Sequence, residues 1–239
     1  MGIAHAFAAQ GCSVLLSGLE SAGEVAPVLG RFSRQDVVFY VQGDLGTPRG
    51  CQELISQAQE KLKGVDILVN NAGIQYTATV QDFPDEKWQL ILALNLFAAF
   101  YTSKAVLPAL YAQGWGRLIH ISLTHGLVGS VHKAAYVAAK HGLVGLSKAL
   151  EAAGTGVTSN CICPGFVLTP LVQKQIEDVA HDKKNSVEAA KHELIAEKHP
   201  SKEFVKVEDL AAMAVLLASP AGDKITGAAY NMDGGWSAH

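Results

Sequence analysis

The sequence predicts an α/β fold of the doubly wound Rossmann type, a parallel sheet with helices on both faces. Three observations predict it. Strand-like apolar runs alternate with helical patterns along the chain, the arrangement that lays crossover helices over parallel strands. Most of those runs are apolar without strict alternation, as strands covered on both sides require. The 239 residues suit one such domain, spanning 1–239, better than two.

The elements follow in order. "GIAHAFAAQG" reads as a helix that Gly11 stops. Strands are expected at 12–18, 37–44, 65–73, 117–122, 157–165 and 227–235, with helices at Pro48–Lys63, Pro84–Gln113 and Lys133–Ala153 between them. The polar, charged segment 173–204 reads as a helical insert, either a lid over a pocket or a solvated excursion. The opening is unusual for this architecture. In a doubly wound sheet the first strand is central, and its loop supplies the amides that hold a pyrophosphate. Here the first recognisable element is a helix, so that strand and its glycine-rich loop are expected to be missing.

Composition excludes several classes. The net charge of −3 and the absence of a basic run argue against a nucleic-acid partner. The most apolar run, Leu90 to Tyr101, is too short to span a bilayer and carries Asn95, so no membrane role is expected. The amino-terminal stretch has no basic n-region, and a soluble cytoplasmic or matrix protein is the expectation. Cys12, Cys51, Cys161 and Cys163 form no C-x-x-C pair and read as small thiols in a reducing compartment.

Several residues carry chemistry. Tyr136 and Lys140, four apart, share a helix face. A phenol titrates near ~10, and a nearby ammonium favours its phenolate, so the pair can move a proton at a substrate oxygen while a nicotinamide carries hydride. A packed tyrosine beside a solvated lysine is the plainer alternative. "NNAG" ends a strand with Asn71, Ala72 and Gly73, small enough for a ligand to approach the backbone, or serves only as a turn. Asn95 sits in an apolar helix, where an unpaired amide costs about 1–3 kcal/mol. It therefore needs a backbone or water partner, and it can also bend the helix. In "GDL", Asp44 can accept from an adenine amino group, with Leu45 beside it, or Asp44 can cap the helix near Pro48. "CPGFVLTP" turns at Pro164 and Gly165 and brings backbone, through Val167, toward a nicotinamide. Glu20, with no Arg or Lys near it, favours NAD over NADP. "HELIAEKH" departs from H-E-x-x-H at Ala196, so no metal is expected, and His192 and His199 read as a solvated helix face.

Together the ordered set "NNAG", helical Asn, "YxxxK" and "PG" resembles the classical short-chain dehydrogenase/reductase family over essentially the whole chain. "NNAGIQ", "THGLVGSVHKAAYVAAKHG", "CPGFVLTPLVQKQI" and "GGW" resemble its soluble D-3-hydroxybutyrate dehydrogenase branch. The resemblance implies an NAD-dependent oxidoreductase interconverting (R)-3-hydroxybutyrate and acetoacetate. Tyr136 would be the acid/base, Lys140 would tune it and hold the ribose, and Asn95 would support a relay water. Gln75, His125, Lys133 and Gln175 would gather around the carboxylate of a small hydroxy acid, and Trp236 would close the pocket.

The pattern departs from the family beyond the absent loop. The family's catalytic serine falls thirteen residues before the tyrosine, at Leu123, which has no hydrogen to donate. Ser122 and Thr124 flank it and, in an extended segment, point away from its face. The Tyr136 helix lacks two residues between Lys148 and Ala149, about 200° of helical rotation. Its apolar face is expected to rearrange, or its end to unwind before Gly154. In the family this helix adds to a subunit interface, which implies a homo-oligomer if it still packs. These departures leave an alternative: a catalytically impaired chain that acts by binding or by dimerising with an intact relative.

Overall fold

The computed structural model describes residues 1–150 and 155–238, without the side chains of Pro170, Leu171 and Gln175. Helix α1 (Gly2–Ala9) leads through Gly11, at φ 90°, into β1 (Val14–Gly18). Then follow α2 (Ala22–Leu29), β2 (Val38–Gln42), α3 (Pro48–Leu62) and β3 (Ile67–Asn70). A continuous helix comes next, α4 (Asp85–Leu92) joined to α5 (Ala98–Gln113) by a π-helical turn at Ala93–Phe97. β4 (Gly116–Ile121), α6 (Ala134–Ala149) and β5 (Val157–Pro164) complete the middle. The chain ends with α7 (Pro170–Asp182), α8 (Val187–Lys198), α9 (Val207–Ala218) and β6 (Ala229–Met232).

Local chemistry sets these limits. Pro48 sits in the first turn of α3, and the Thr47 hydroxyl accepts from the Gly50 amide at 3.0 Å. Thr47, not Asp44, is thus the cap. The Asp44 carboxylate instead accepts from the Gly46 amide at 2.8 Å in the turn before it. Ser186 caps α8 through the Ala189 amide. Gly114, at φ 72°, ends α5.

All strands are parallel, as expected, but they form two sheets. Among the described residues β1 pairs only with β2, and β3-β4-β5-β6 pair in that order. The inner edges of β1 and β3 face one cavity of about 1240 Å³. Its walls include α1 and α9 residues on one side (Ile3, Phe7, Leu210) and α3 and α5 residues on the other (Leu54, Ile55, Ala98, Ala99). β4 and β5 are buried throughout, whereas β1 and β3 are only partly so. The opening thus runs along the middle of the layered structure.

The cores lie on both faces of the four-stranded sheet. Ile55, Ala58, Val106 and Leu110 pack with Leu118 and Val157 on one side. Phe7, Ala214 and Leu217 pack with Ile119, Ile121 and Ile162 on the other. The insert forms α7 and α8 around a small core of its own, Ile176, Ala180 and Ala190. Helix α6 runs regularly to Ala149. The unwinding expected before Gly154 falls outside the described residues. The helical stretch Asp85–Gln113 has 29 residues and is long and apolar enough to cross a membrane, more than its most apolar run suggested. It is a layer helix whose Ile91, Ala98, Val106 and Leu110 are buried in the protein.

Candidate active site

The site forms where β3, β4 and β5 end. After β3, Asn71, Ala72 and Gly73 line the large cavity. Gly73 is required there, because a β-carbon would collide with the Asn95 side-chain oxygen. Asn95 lies in the π-helical turn, a bulge that re-aims side chains at functional sites. Its Nδ2 donates to the Ile91 and Ile74 carbonyls, each at 2.9 Å, so the expected backbone partners are present. Its Oδ1 is buried without a hydrogen-bond partner among the described residues.

Helix α6 brings Tyr136 and Lys140 to the same cavity. Both are buried, so the arrangement of a packed tyrosine with a solvated lysine is not what is found. Lys140 Nζ donates to the Ile121 carbonyl at 2.8 Å and lies 5.5 Å from the Tyr136 ring centre. Burial lowers the Lys140 ammonium to about 8 and raises the Tyr136 phenol above its ordinary value. In this state desolvation therefore outweighs the expected downward pull of the ammonium on the phenol.

Between β4 and α6 the chain turns at Leu123. It has φ 60° and ψ 167°, a region essentially reserved for glycine that costs about 1–3 kcal/mol. Its side chain packs against two core clusters and lines the cavity. The flanking hydroxyls are engaged elsewhere. Ser122 Oγ donates to the Lys140 carbonyl at 2.9 Å, and Thr124 Oγ1 to the Pro164 carbonyl at 3.0 Å.

One end of the cavity is aromatic. His125 meets Tyr136 edge-on at 5.6 Å between ring centres and Trp236 at 5.2 Å. Both His125 nitrogens are buried without a hydrogen-bond partner among the described residues. Burial and the nearby Lys133 push its pKa down to about 3, so the ring is neutral with one N–H to give. Gln75, Lys133, Pro164, Gly165, Val167 and Leu45 line the same cavity, as do Gly18 and Glu20 at its far end. Asp44 lies apart, in a separate dent of about 210 Å³ with Thr47 and Arg49. The Gln175 side chain is outside the described residues.

Two residues of this region were not foreseen. Phe166 stacks on Trp236 at 5.2 Å. His199, read from the sequence as solvated, is fully buried, while His192 is exposed as expected. Helical spacing carries no signal for His199, because it follows the last turn of α8 and packs against segments remote in sequence. No group of His, Cys, Asp and Glu able to hold a metal occurs among the described residues.

The family model for enoyl-(acyl carrier protein) reductase matches residues 1–237. A D-beta-hydroxybutyrate dehydrogenase of Cupriavidus necator is 48% identical over 240 residues, covering all of this chain and 93% of that protein. The chain belongs to the short-chain dehydrogenase/reductase family. A second D-beta-hydroxybutyrate dehydrogenase, from Rhizobium meliloti, is 41% identical over 242 residues, covering all of this chain and 94% of its own. A crystal structure of an actinorhodin polyketide ketoreductase variant with NADPH superposes with TM-score 0.91 at 31% identity, covering 100% of this chain and 92% of the other. Short-chain dehydrogenases/reductases are oxidoreductases that use nicotinamide cofactors. The residues here fit such a cofactor at its nicotinamide end, where the Gly73 backbone, the buried Lys140 and the Pro164–Gly165 turn meet one cavity.

Proposed function

We propose that this chain interconverts (R)-3-hydroxybutyrate and acetoacetate with NAD as cofactor. The carrying observation is that Tyr136, Lys140 and Asn95 share one cavity with Gln75, His125, Lys133 and Trp236. The two dehydrogenase relatives support the substrate. A bound nicotinamide would supply hydride transfer. The chain's own part is to hold the substrate and move its proton. The Tyr136 hydroxyl gives or takes the proton at the substrate oxygen. Lys140 holds positive charge beside it, and the unpartnered Asn95 Oδ1 accepts from a water that relays the proton onward. Lys133, Gln75 and the His125 N–H hold the carboxylate, Trp236 excludes water, and α7–α8 act as a lid from which Lys174 and Asp178 reach the cavity. Glu20, at the end of β1, takes a ribose hydroxyl and disfavours a 2′-phosphate.

Leu123 favours a second reading, in which the chain binds but turns over poorly. Titration of the folded protein with NADH, followed by tryptophan-to-nicotinamide energy transfer and by turnover of (R)-3-hydroxybutyrate, separates the two. Saturable binding with turnover supports the first reading. Binding without turnover supports the second. No binding of either NADH or NADPH to the folded chain overturns both.

We also propose that the chain works in the cytoplasm as a homo-oligomer. Leu90, Phe97, Phe100 and Tyr111 form an exposed apolar stripe on the α4–α5 helix. A monomer mass by light scattering of the same preparation counts against this assembly.

A further inference from the structure

His199 lies one residue beyond the carboxyl end of α8 and is completely buried. Its Nε2 accepts from the Phe166 amide at 3.0 Å, and its Nδ1 pairs with the Glu203 carbonyl at 3.0 Å. That pair of partners fixes one neutral tautomer, with the proton on Nδ1. The ring stacks on Phe166 at 5.7 Å and 18°, and tilts against Trp236 at 5.9 Å. A β-carbon on Gly165 or Gly234 would collide with it. The ring is therefore wedged between the turn after β5 and the carboxyl-terminal turn that carries Trp236. Backbone bonds run alongside, from Ser201 to Gly234 and from Val205 to Phe166. Phe166 and Trp236 stack on each other, and Trp236 covers His125, whose nitrogens await a partner.

We propose that His199 is a positioning residue that sets the roof of the substrate pocket. It fixes the Phe166 backbone, and through the Phe166 and Trp236 rings it fixes the cover over His125. It also ties the base of α8 to the turn that faces the nicotinamide. The inference deepens the hydroxy-acid reading, and its kinetic arm rests on that reading. Its exchange arm does not.

The test compares His199→Phe, which keeps a ring and loses both hydrogen bonds, with His199→Gln, whose amide keeps an acceptor and a donor. Phe166 amide exchange is expected to quicken about tenfold or more in His199→Phe and to recover in His199→Gln. The Michaelis constant for (R)-3-hydroxybutyrate is expected to rise about tenfold in His199→Phe with kcat held within about threefold, and to return in His199→Gln. A ring that merely fills space would lower the melting temperature without separating the two variants in KM or in Phe166 exchange. That result overturns the proposal. Should His199→Phe not fold, His199→Asn keeps the amide but shortens its reach, and it takes the same two readouts. If the parent turns over no short 3-hydroxy acid, the hydroxy-acid reading fails. Phe166 exchange then decides the role of His199 alone.

Discussion

At the scale of single residues, the proposed function puts the most weight on Leu123, which lines the cavity and packs in the same cluster as Tyr136. A preorganised donor at a reacting oxygen is worth about 10²–10³ in rate. Leu123 supplies none, and the hydroxyls on either side are bound to the Lys140 and Pro164 carbonyls. Leu123→Ser is therefore expected to raise kcat on (R)-3-hydroxybutyrate by about 10²–10³. Leu123→Gly relieves the backbone at φ 60° without adding a donor, and its kcat is expected to stay within about threefold of the parent. Equal gains in both variants would assign the effect to backbone relief. That a leucine stands thirteen residues before Tyr136 was legible in the sequence. The positive φ was not, because leucine rarely adopts it and it is tertiary packing of its side chain, with the Gly126 amide donating to its carbonyl, that holds it there. His199 was illegible for a related reason. Its burial depends on Gly165 and Gly234, each more than thirty residues away in sequence.

At the scale of elements, a polar chain crosses the middle of the four-stranded sheet. Thr102 of α5 donates to Asn70 of β3 at 2.9 Å. Asn70 meets His120 of β4 at 3.2 Å, His120 meets Ser159 of β5 at 3.3 Å, and Ser159 meets Ser147 of α6 at 3.0 Å. With Asn70 Nδ2 donating, His120 accepts at Nδ1 and donates from Nε2, so the ring is neutral. Burial, with Lys140 adding to it, pushes its pKa down to about 4, and that of His125 to about 3. An unfolded histidine titrates near ~6.5. Between those values the unfolded chain holds more protons than the folded one, so stability is full above about 6.5 and falls as the pH drops toward 4. Each site adds a slope of about 1.4 kcal/mol per pH unit. Urea unfolding at pH 7, 6 and 5 is expected to show this loss, and His120→Asn to remove its share of the slope, about 1.4 kcal/mol per pH unit. A slope unchanged by His120→Asn would place the titration elsewhere. The strand and helix sequence was readable from alternation alone, but not this network. The pairings Ile67↔Arg117 through Asn70↔His120 set which polar side chains meet, and register is not written in any one strand.

At the scale of the whole molecule, the divided sheet sets an expectation for stability. Parallel strands are stable when both faces and both edges are covered. β4 and β5 meet that condition, whereas β1 and β3 each turn an unpaired edge toward the cavity between them. Every unpaired edge leaves amides and carbonyls to water and wets apolar side chains such as Leu16 and Val69. Amide exchange is therefore expected to be slow in Leu118–Ile121 and Cys161–Cys163, and much faster in Leu15–Ser17 and Leu68–Asn70. The opening also specifies what would close it. The filling element is one extended segment, apolar on both faces because helices cover both, and parallel to its neighbours. Placed ahead of Gly2, it would reach β1 through α1 in the right-handed crossover that parallel strands favour. A chain extended ahead of Gly2 by about five residues of Val, Ile and Ala with a short glycine turn matches the common length of a strand. It is expected to protect both β1 and β3 and to raise the melting temperature by about 10 °C. The same extension carrying two prolines cannot complete the ladder and should do neither. Protection gained in β1 but not β3 would mean that the two sheets move independently, so that one strand cannot bridge them. No change in either would mean that β1 and β3 already close on each other in solution, and then their exchange should be slow from the outset.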